Sequence, residues 1–331
     1  MNQKEIENLE NLEKLVSQKY NNIAGLMVLK DGETMYENYF NDCEESSKLH
    51  VYSVSKSIVS ILLGIAIDKG YIKGLDQKVI EFFPDYEIKK REKTIQNITL
   101  KDLITMTAPY KYKRVTPYIK YFTSDDFVKF SLDLLGGKDQ IGDFRYTPLI
   151  GPDILTGILT NVTGQSVLEF ARVNLFTPLG ISVDEAITFS SKKEQMVFNK
   201  ATNISGWVTD SIGVNTGGWG LTLSTSDMAK IGQLYLNKGN WEGKQLVSRF
   251  WIEEASRVHS VWQEQKLQYG YLWWIVNSTH QSCAAMGDGG NVIYVNPHNN
   301  IVIAISSLFK PRVIDRIEFI KEHVEPIFVG E

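Results

Sequence analysis

The chain has 331 residues, 43% hydrophobic and 22% charged, which fits a packed globular protein and excludes a disordered one. Its length suits one large domain or two fused lobes. A formal net charge of -4 gives no general attraction to nucleic acid or anionic lipid, and Lys89-Lys90-Arg91 reads as a solvated helix end.

Two cysteines, Cys43 and Cys283, are too few for a disulfide framework and lack metal-ligand spacing, so a reducing compartment is expected. The first seven residues are charged and show no signal-peptide core. The longest nearly apolar stretch, residues 58–67, is half of the roughly 20 residues a bilayer crossing needs. The expectation is a cytoplasmic protein with neither membrane nor nucleic-acid partners.

In chain order, residues 5–20 carry Ile6, Leu9, Leu12, Leu15 and Val16 at helical spacing. Residues 25–30 and 34–40 read as strands joined by Asp31-Gly32, a strong hairpin signal. From 55 to 180 the pattern is mainly helical and broken by prolines, with helices expected over 58–70, 99–106 and 152–163, the last stopped by Gly164. Residues 226–236 are helical again. Residues 269–276 read as one strand, and 291–296 with 301–306 as a hairpin around Pro297-His298-Asn299-Asn300. A last helix is expected over 311–324.

Strands at both ends around a helical middle predict an α+β fold. One antiparallel sheet with flanking helices is assembled from both chain termini (residues 1–65 and 215–331). A mainly helical lobe (66–214) is inserted, with the active site between the two.

Ser-x-x-Lys, a hydrolase pattern, occurs at Ser53/Lys56, Ser190/Lys193 and Ser307/Lys310. Ser307 ends a strand, where residues three apart face opposite ways, and Ser190 opens a polar stretch. Ser53 alone precedes a long apolar helix. Residues i and i+3 share a helix face, so Lys56 can reach the Ser53 hydroxyl, and the helix N-terminus favours an oxyanion. Burial beside Ile58, Val59, Ile61 and Leu62 favours the neutral amine that a general base needs. The alternative is a plain serine N-cap with a solvated lysine.

Ser53-Val54-Ser55-Lys56-Ser57 before that helix resembles the active-site segment of the class C β-lactamase-related serine hydrolases. That family includes esterases, aminohexanoate-oligomer hydrolases, D-amino-acid peptidases and penicillin-binding proteins. The similarity continues in order through Leu75-Asp76-Gln77-Lys78-Val79, residues 98–107, Thr163-Gly164-Gln165-Ser166, Gly217-Gly218-Trp219-Gly220-Leu221 and Tyr269-Gly270-Tyr271 with Trp273-Trp274. It implies a β-lactamase/transpeptidase-like fold, no metal and no organic cofactor.

The resemblance also implies a proton-sharing tyrosine in a Tyr-x-Asn or Tyr-x-Ser element. By order this is Tyr146, in Tyr146-Thr147-Pro148, where Pro148 removes a side-chain hydrogen bonder; Tyr110 and Tyr112 are the fallback. The family's third element, Lys-Thr-Gly or His-x-Gly, falls on Asp288-Gly289-Gly290-Asn291. It implies oxyanion donors at the Ser53 and Asn291 amides.

Asp288 stands where classical β-lactamases carry a cation for the substrate carboxylate, unless Arg145, Lys310 or Arg312 substitutes. The expected substrate is therefore a neutral or amine-bearing ester or amide, cleaved through an acyl-enzyme. Among alternatives, there is no Gly-x-Ser-x-Gly elbow, the five histidines lack metal spacing, and His50 reads as a surface residue. Pro148 and Asp288 motivate one rival reading, a ligand sensor that acylates slowly or not at all.

Overall fold

The computed structural model describes residues 3–113 and 116–329. Its frame is an eight-stranded antiparallel sheet, with strands β1 (Ile23–Lys30), β2 (Glu33–Tyr39), β3 (Ser260–Trp262), β4 (Leu267–Tyr269), β5 (Trp274–Asn277), β6 (Ser282–Gly287), β7 (Asn291–Asn296) and β8 (Ile301–Ser307). Their order is β2-β1-β8-β7-β6-β5-β4-β3, so the amino-terminal hairpin joins the carboxy-terminal meander through the β1–β8 pairing. The α+β sheet expected from the two termini is therefore present. Asp31 and Gly32 close the first hairpin with φ of 53° and 83°, the left-handed pair that a two-residue turn requires.

The strands alternate between two cores, as a period of two demands. Leu26, Val28, Ile301, Ile303 and Ile305 face Leu12 and Val16 of α1 (Gln3–Lys19) together with Phe319, Ile320 and Val324. Met27, Leu29, Val302 and Ala304 face the larger core, which extends through α2 (Val54–Asp68) into the helical region.

Helix α2 is buried all round from Val54 to Ala66, the mark of a central helix. It spans the 65/66 junction expected between lobes. It packs on β6 and β7 on one side and on α5 (Ile150–Thr163) on the other. Between these, α3 (Leu100–Ile104) has a Thr99/Asp102 capping box, and α4 (Phe127–Leu134) is capped by Asp126. Helix α6 (Thr225–Leu236) crosses β1, β7 and β8.

Two expected elements differ. The run 269–276 is not one strand. It breaks after Tyr269 because Tyr271 N–H donates to Ala255 O (3.1 Å) and Leu272 N–H to Ile104 O (3.0 Å), and Leu272 takes a φ of 59°. These outward bonds turn the chain, so β4 and β5 pair with each other. The last helix starts later than expected, at Arg316 with Asp315 as its cap, and continues to Val329 through a π-turn at Ile320–Val324. Pro326 follows that turn, in the first turn of the last segment, where its missing N–H is tolerated.

Gly64 is the close-packing point of α2: a Cβ there would lie 2.4 Å from the indole of Trp251, which is 4% exposed. Gly64→Ala should therefore lower stability by about 1–3 kcal/mol in urea unfolding despite alanine's better helix propensity, because a buried indole has no room to retreat.

Candidate active site

Ser53 sits at the N-cap of α2 but does not cap it, since its hydroxyl accepts no hydrogen bond from the helix amides. It accepts instead from Lys56 Nζ at 2.7 Å. The amine is 1% exposed, and its second partner is the Gly218 carbonyl at 3.2 Å. This is the one Ser-x-x-Lys pair of the three that is hydrogen-bonded. Ser190 and Lys193 are exposed, whereas Ser307 is buried with its hydroxyl on Gly290 O and Lys310 bonds Asn21. Tyr52, just before the serine, has a φ of 50°, a strained setting for a bulky residue that turns the chain into the helix.

Tyr146 lies beside the pair with its ring centroid 5.2 Å from Lys56 Nζ, and its hydroxyl bonds neither Lys56 nor Ser53. Trp274, Tyr269 and Trp262 surround it with centroids at 5.5, 6.4 and 6.5 Å. Tyr110 and Tyr112 are elsewhere, stacked around the Arg145 guanidinium. Arg145 is committed to the carbonyls of Tyr110, Tyr112 and Lys113 and to Asp139, so it does not substitute for a substrate-binding cation. Arg312 is exposed on the segment before the last helix.

The Asp288-Gly289-Gly290-Asn291 segment divides between roles. The backbone packed on the Ser53 amide is that of Gly287, at the end of β6: a Cβ there would sit 3.2 Å from Ser53 N and 2.2 Å from Val51 O. Asn291, its ladder partner, is fully buried. Its amide donates to Asp288 O (2.8 Å) and accepts from the Ser307 amide (3.0 Å), so its side chain braces the turn rather than lining a site.

Gly289 and Gly290 are buried too, with φ of 80° and 92°, against the Leu308-Phe309 backbone and the Arg316 guanidinium. Asn22 holds this turn by donating to Gly289 O and Leu308 O, and Arg316 donates to Asn22. Asp288 alone is exposed. Burial first, and then the charge of Asp288, holds the Tyr52 hydroxyl above its ordinary range.

Two buried groups were not expected here. His50 is 3% exposed, not a surface residue. Its Nε2 accepts from the Gly220 amide (2.8 Å), so Nδ1 carries the proton toward Asn199 Oδ1 (3.0 Å), and burial pushes its pKa down to about 3. Asp153, on α5, accepts from Tyr121 Oη (2.6 Å) and the Gly217 amide (2.8 Å). Burial pushes its pKa up to about 7 against those two bonds. No spacing rule marks either residue. The signal was the polar character of Asp153 within an otherwise apolar helix face.

Residues 12–324 match the family model described as Beta-lactamase. The 6-aminohexanoate-dimer hydrolase of Paenarthrobacter ureafaciens is 22% identical over 309 residues, covering 85% of this chain and 71% of that protein. EstCE1, described as a hydrolase with promiscuous acyltransferase activity, superposes with a TM-score of 0.72 at 14% identity over 99% of both chains. The octameric penicillin-binding protein homologue from Pyrococcus abyssi gives a TM-score of 0.67 at 19% identity, over 92% of this chain and 74% of that one. The structural likenesses establish the fold.

The two buried groups pull stability in opposite directions with pH. His50 is neutral in the fold and ionises on unfolding, so its contribution is complete above about pH 6.5 and is lost as pH falls toward 3. Asp153 takes up a proton on folding, so its contribution is complete below about pH 4 and is lost as pH rises toward 7. Between about pH 4 and 6.5 the two gradients, each up to roughly 1.4 kcal/mol per pH unit, offset one another. Relative to wild type, Asp153→Asn should gain stability as pH rises through that window, and His50→Gln should lose it. Urea unfolding at about pH 4.5, 5.5 and 6.5 reads both slopes, and parallel profiles for all three proteins would contradict the account.

Proposed function

The chain belongs to the Beta-lactamase family, and from that premise we propose that it is a serine hydrolase that cleaves an ester or amide through an acyl-enzyme on Ser53. The observation that carries the reading is the buried Lys56 amine, 2.7 Å from a serine hydroxyl that caps nothing. A solvated lysine beside a capping serine would show neither feature.

In the proposed reaction Ser53 Oγ attacks the substrate carbonyl carbon while the Lys56 amine takes the hydroxyl proton. The carbonyl electron pair moves onto oxygen, which rests on the Ser53 amide and a second amide. Gly287 is the residue packed on Ser53 N, so the Asp288 N–H that follows it is the better second donor than Asn291. Collapse breaks the bond to the leaving group, which takes the proton back from Lys56, directly or through the Tyr146 hydroxyl. Water then attacks the acyl ester, gives its proton to the same groups, and frees Ser53.

Pro148 argues less strongly for an inert sensor than the sequence pattern implied. The hydrogen-bond acceptor that its side chain lacks is supplied to Lys56 by Gly218 O. Asp288 bears on substrate choice. Two like charges about 4 Å apart repel by about 4 kcal/mol at a protein surface, so an anionic substrate is disfavoured beside it. A neutral or amine-bearing ester or amide suits the site, and the relative named for a 6-aminohexanoate dimer is in keeping with an amide. No helix among the described residues is long and apolar enough to cross a membrane, and both cysteines are free, which suits the proposed cytoplasmic setting.

Intact-mass spectrometry after exposure to an alkyl fluorophosphonate should show one adduct on wild type and none on Ser53→Ala. Wild type should hydrolyse a neutral aryl ester at least about tenfold faster than a penicillin, and Asp288→Lys should narrow that gap. An unlabelled wild type would favour the sensor reading, and equal rates on the two substrates would remove the role given to Asp288.

A further inference from the structure

The Lys56 amine depends on a backbone carbonyl for its second partner, and that carbonyl lies on a strap of chain, residues 217–220, held by the side chains of Asp153, Tyr121 and His50. Gly217 N–H donates to Asp153 Oδ1 at 2.8 Å. Trp219 Nε1 donates to Tyr121 Oη at 3.1 Å, and Tyr121 in turn donates to Asp153 Oδ2 at 2.6 Å. Both oxygens of one carboxyl group thus grip the residues on either side of Gly218. Beyond them, Gly220 N–H is held by His50 Nε2. Gly217 and Gly218 lie so close to the Pro152 and Pro148 carbonyls that a Cβ would sit 2.0 and 2.1 Å from them.

We propose that Asp153 is a positioning residue for acylation, fixing the Gly218 carbonyl and through it the direction of the Lys56 amine toward Ser53. Asp153 stands on α5, which begins just after Tyr146 and Pro148, so the same carboxyl ties the tyrosine's segment to the strap. A carboxyl group that is 1% exposed is costly to keep, and a well-packed leucine would fill this apolar helix more cheaply. Its raised pKa, caused first by burial, records that cost. Fixing a base within a few tenths of an ångström is the return, because a misplacement of about 1 Å can cost on the order of a hundredfold in rate.

The assignment rests on the Ser53 hydrolase reading, and labelling kinetics separate the two. An alkyl fluorophosphonate is titrated against wild type, Ser53→Ala, Asp153→Ala, Asp153→Asn and Tyr121→Phe, and the intact-mass time course is resolved into kinact and KI. Asp153→Ala should lower kinact by about 30-fold with KI within about twofold, since the group touches no ligand. Asp153→Asn keeps an oxygen for the Gly217 amide and should recover to within about fivefold of wild type, whereas Tyr121→Phe should lose about threefold to tenfold.

Unchanged kinact in a folded Asp153→Ala overturns the assignment. So does a loss confined to KI, or an Asp153→Asn as slow as Asp153→Ala, which would make charge rather than grip the active property. Where Asp153→Ala does not fold, unchanged kinact in Tyr121→Phe overturns it instead. An unlabelled wild type, or an equally labelled Ser53→Ala, overturns the hydrolase reading and this assignment together.

Discussion

A lysine side chain that ends inside a protein must find its hydrogen-bond partners there, because water is no longer available to supply them. Lys56 ends 1% exposed with two acceptors, Ser53 Oγ and Gly218 O, and no carboxylate among the described residues forms an ion pair with it. Much of the surrounding architecture follows from that arrangement. The serine must lie one turn before the lysine on a helix whose every face is covered. The strap carrying Gly218 must approach closely enough to put a carbonyl on the amine. The same strap lies against the Pro152 and Pro148 carbonyls, an approach of two backbones that is possible only where side chains are missing, as at Gly217 and Gly218.

The sheet serves the same end from the other side. Its strands alternate between a core under the terminal helices and a core around α2, so β6 and β7 lie directly on the helix that carries Ser53. Gly287, where β6 ends, lets that backbone touch the Ser53 amide, and the following turn is pinned from beneath by Asn22, Arg316 and Asn291. Helix and sheet share a side-chain core along their length, and at the serine the contact becomes one of backbone on backbone.

How much of this was legible in the residues depended on whether the signal was local. The first hairpin, α2, α5 and the last hairpin each carry their own periodicity and turn residues, and Ser53 with Lys56 is a spacing within one helix. The break between β4 and β5 was not legible, because the bonds that turn Tyr271 and Leu272 go to Ala255 and Ile104, distant in sequence. The close contact with the Ser53 amide lies at Gly287, just before the Asp288–Asn291 segment that the motif order points to. Both sides of that tight turn are glycine-rich, and only the packing on Val51 and Ser53 singles out Gly287. The roles of His50 and Asp153 were not legible either, beyond the polar character of Asp153 on an apolar helix, since their partners Gly220 and Gly217 lie on a strap more than sixty residues further along the chain.

The parts of the site also differ in what they tolerate. Gly217, Gly218 and Gly287 each face a backbone carbonyl at 2.0 to 2.2 Å from a would-be Cβ, so no side chain can be added without moving the main chain. Lys56, Asp153 and His50 are buried and fully committed. Asp288 is different: it is exposed, it sits one residue beyond the contact with Ser53, and its side chain makes no bond that the turn depends on. A charge can change there without disturbing the Ser53–Lys56 hydrogen bond. On the proposed reading, the buried cluster around Ser53 and Lys56 carries the reaction, and Asp288 is the position where a change of charge would alter substrate preference at the least structural cost.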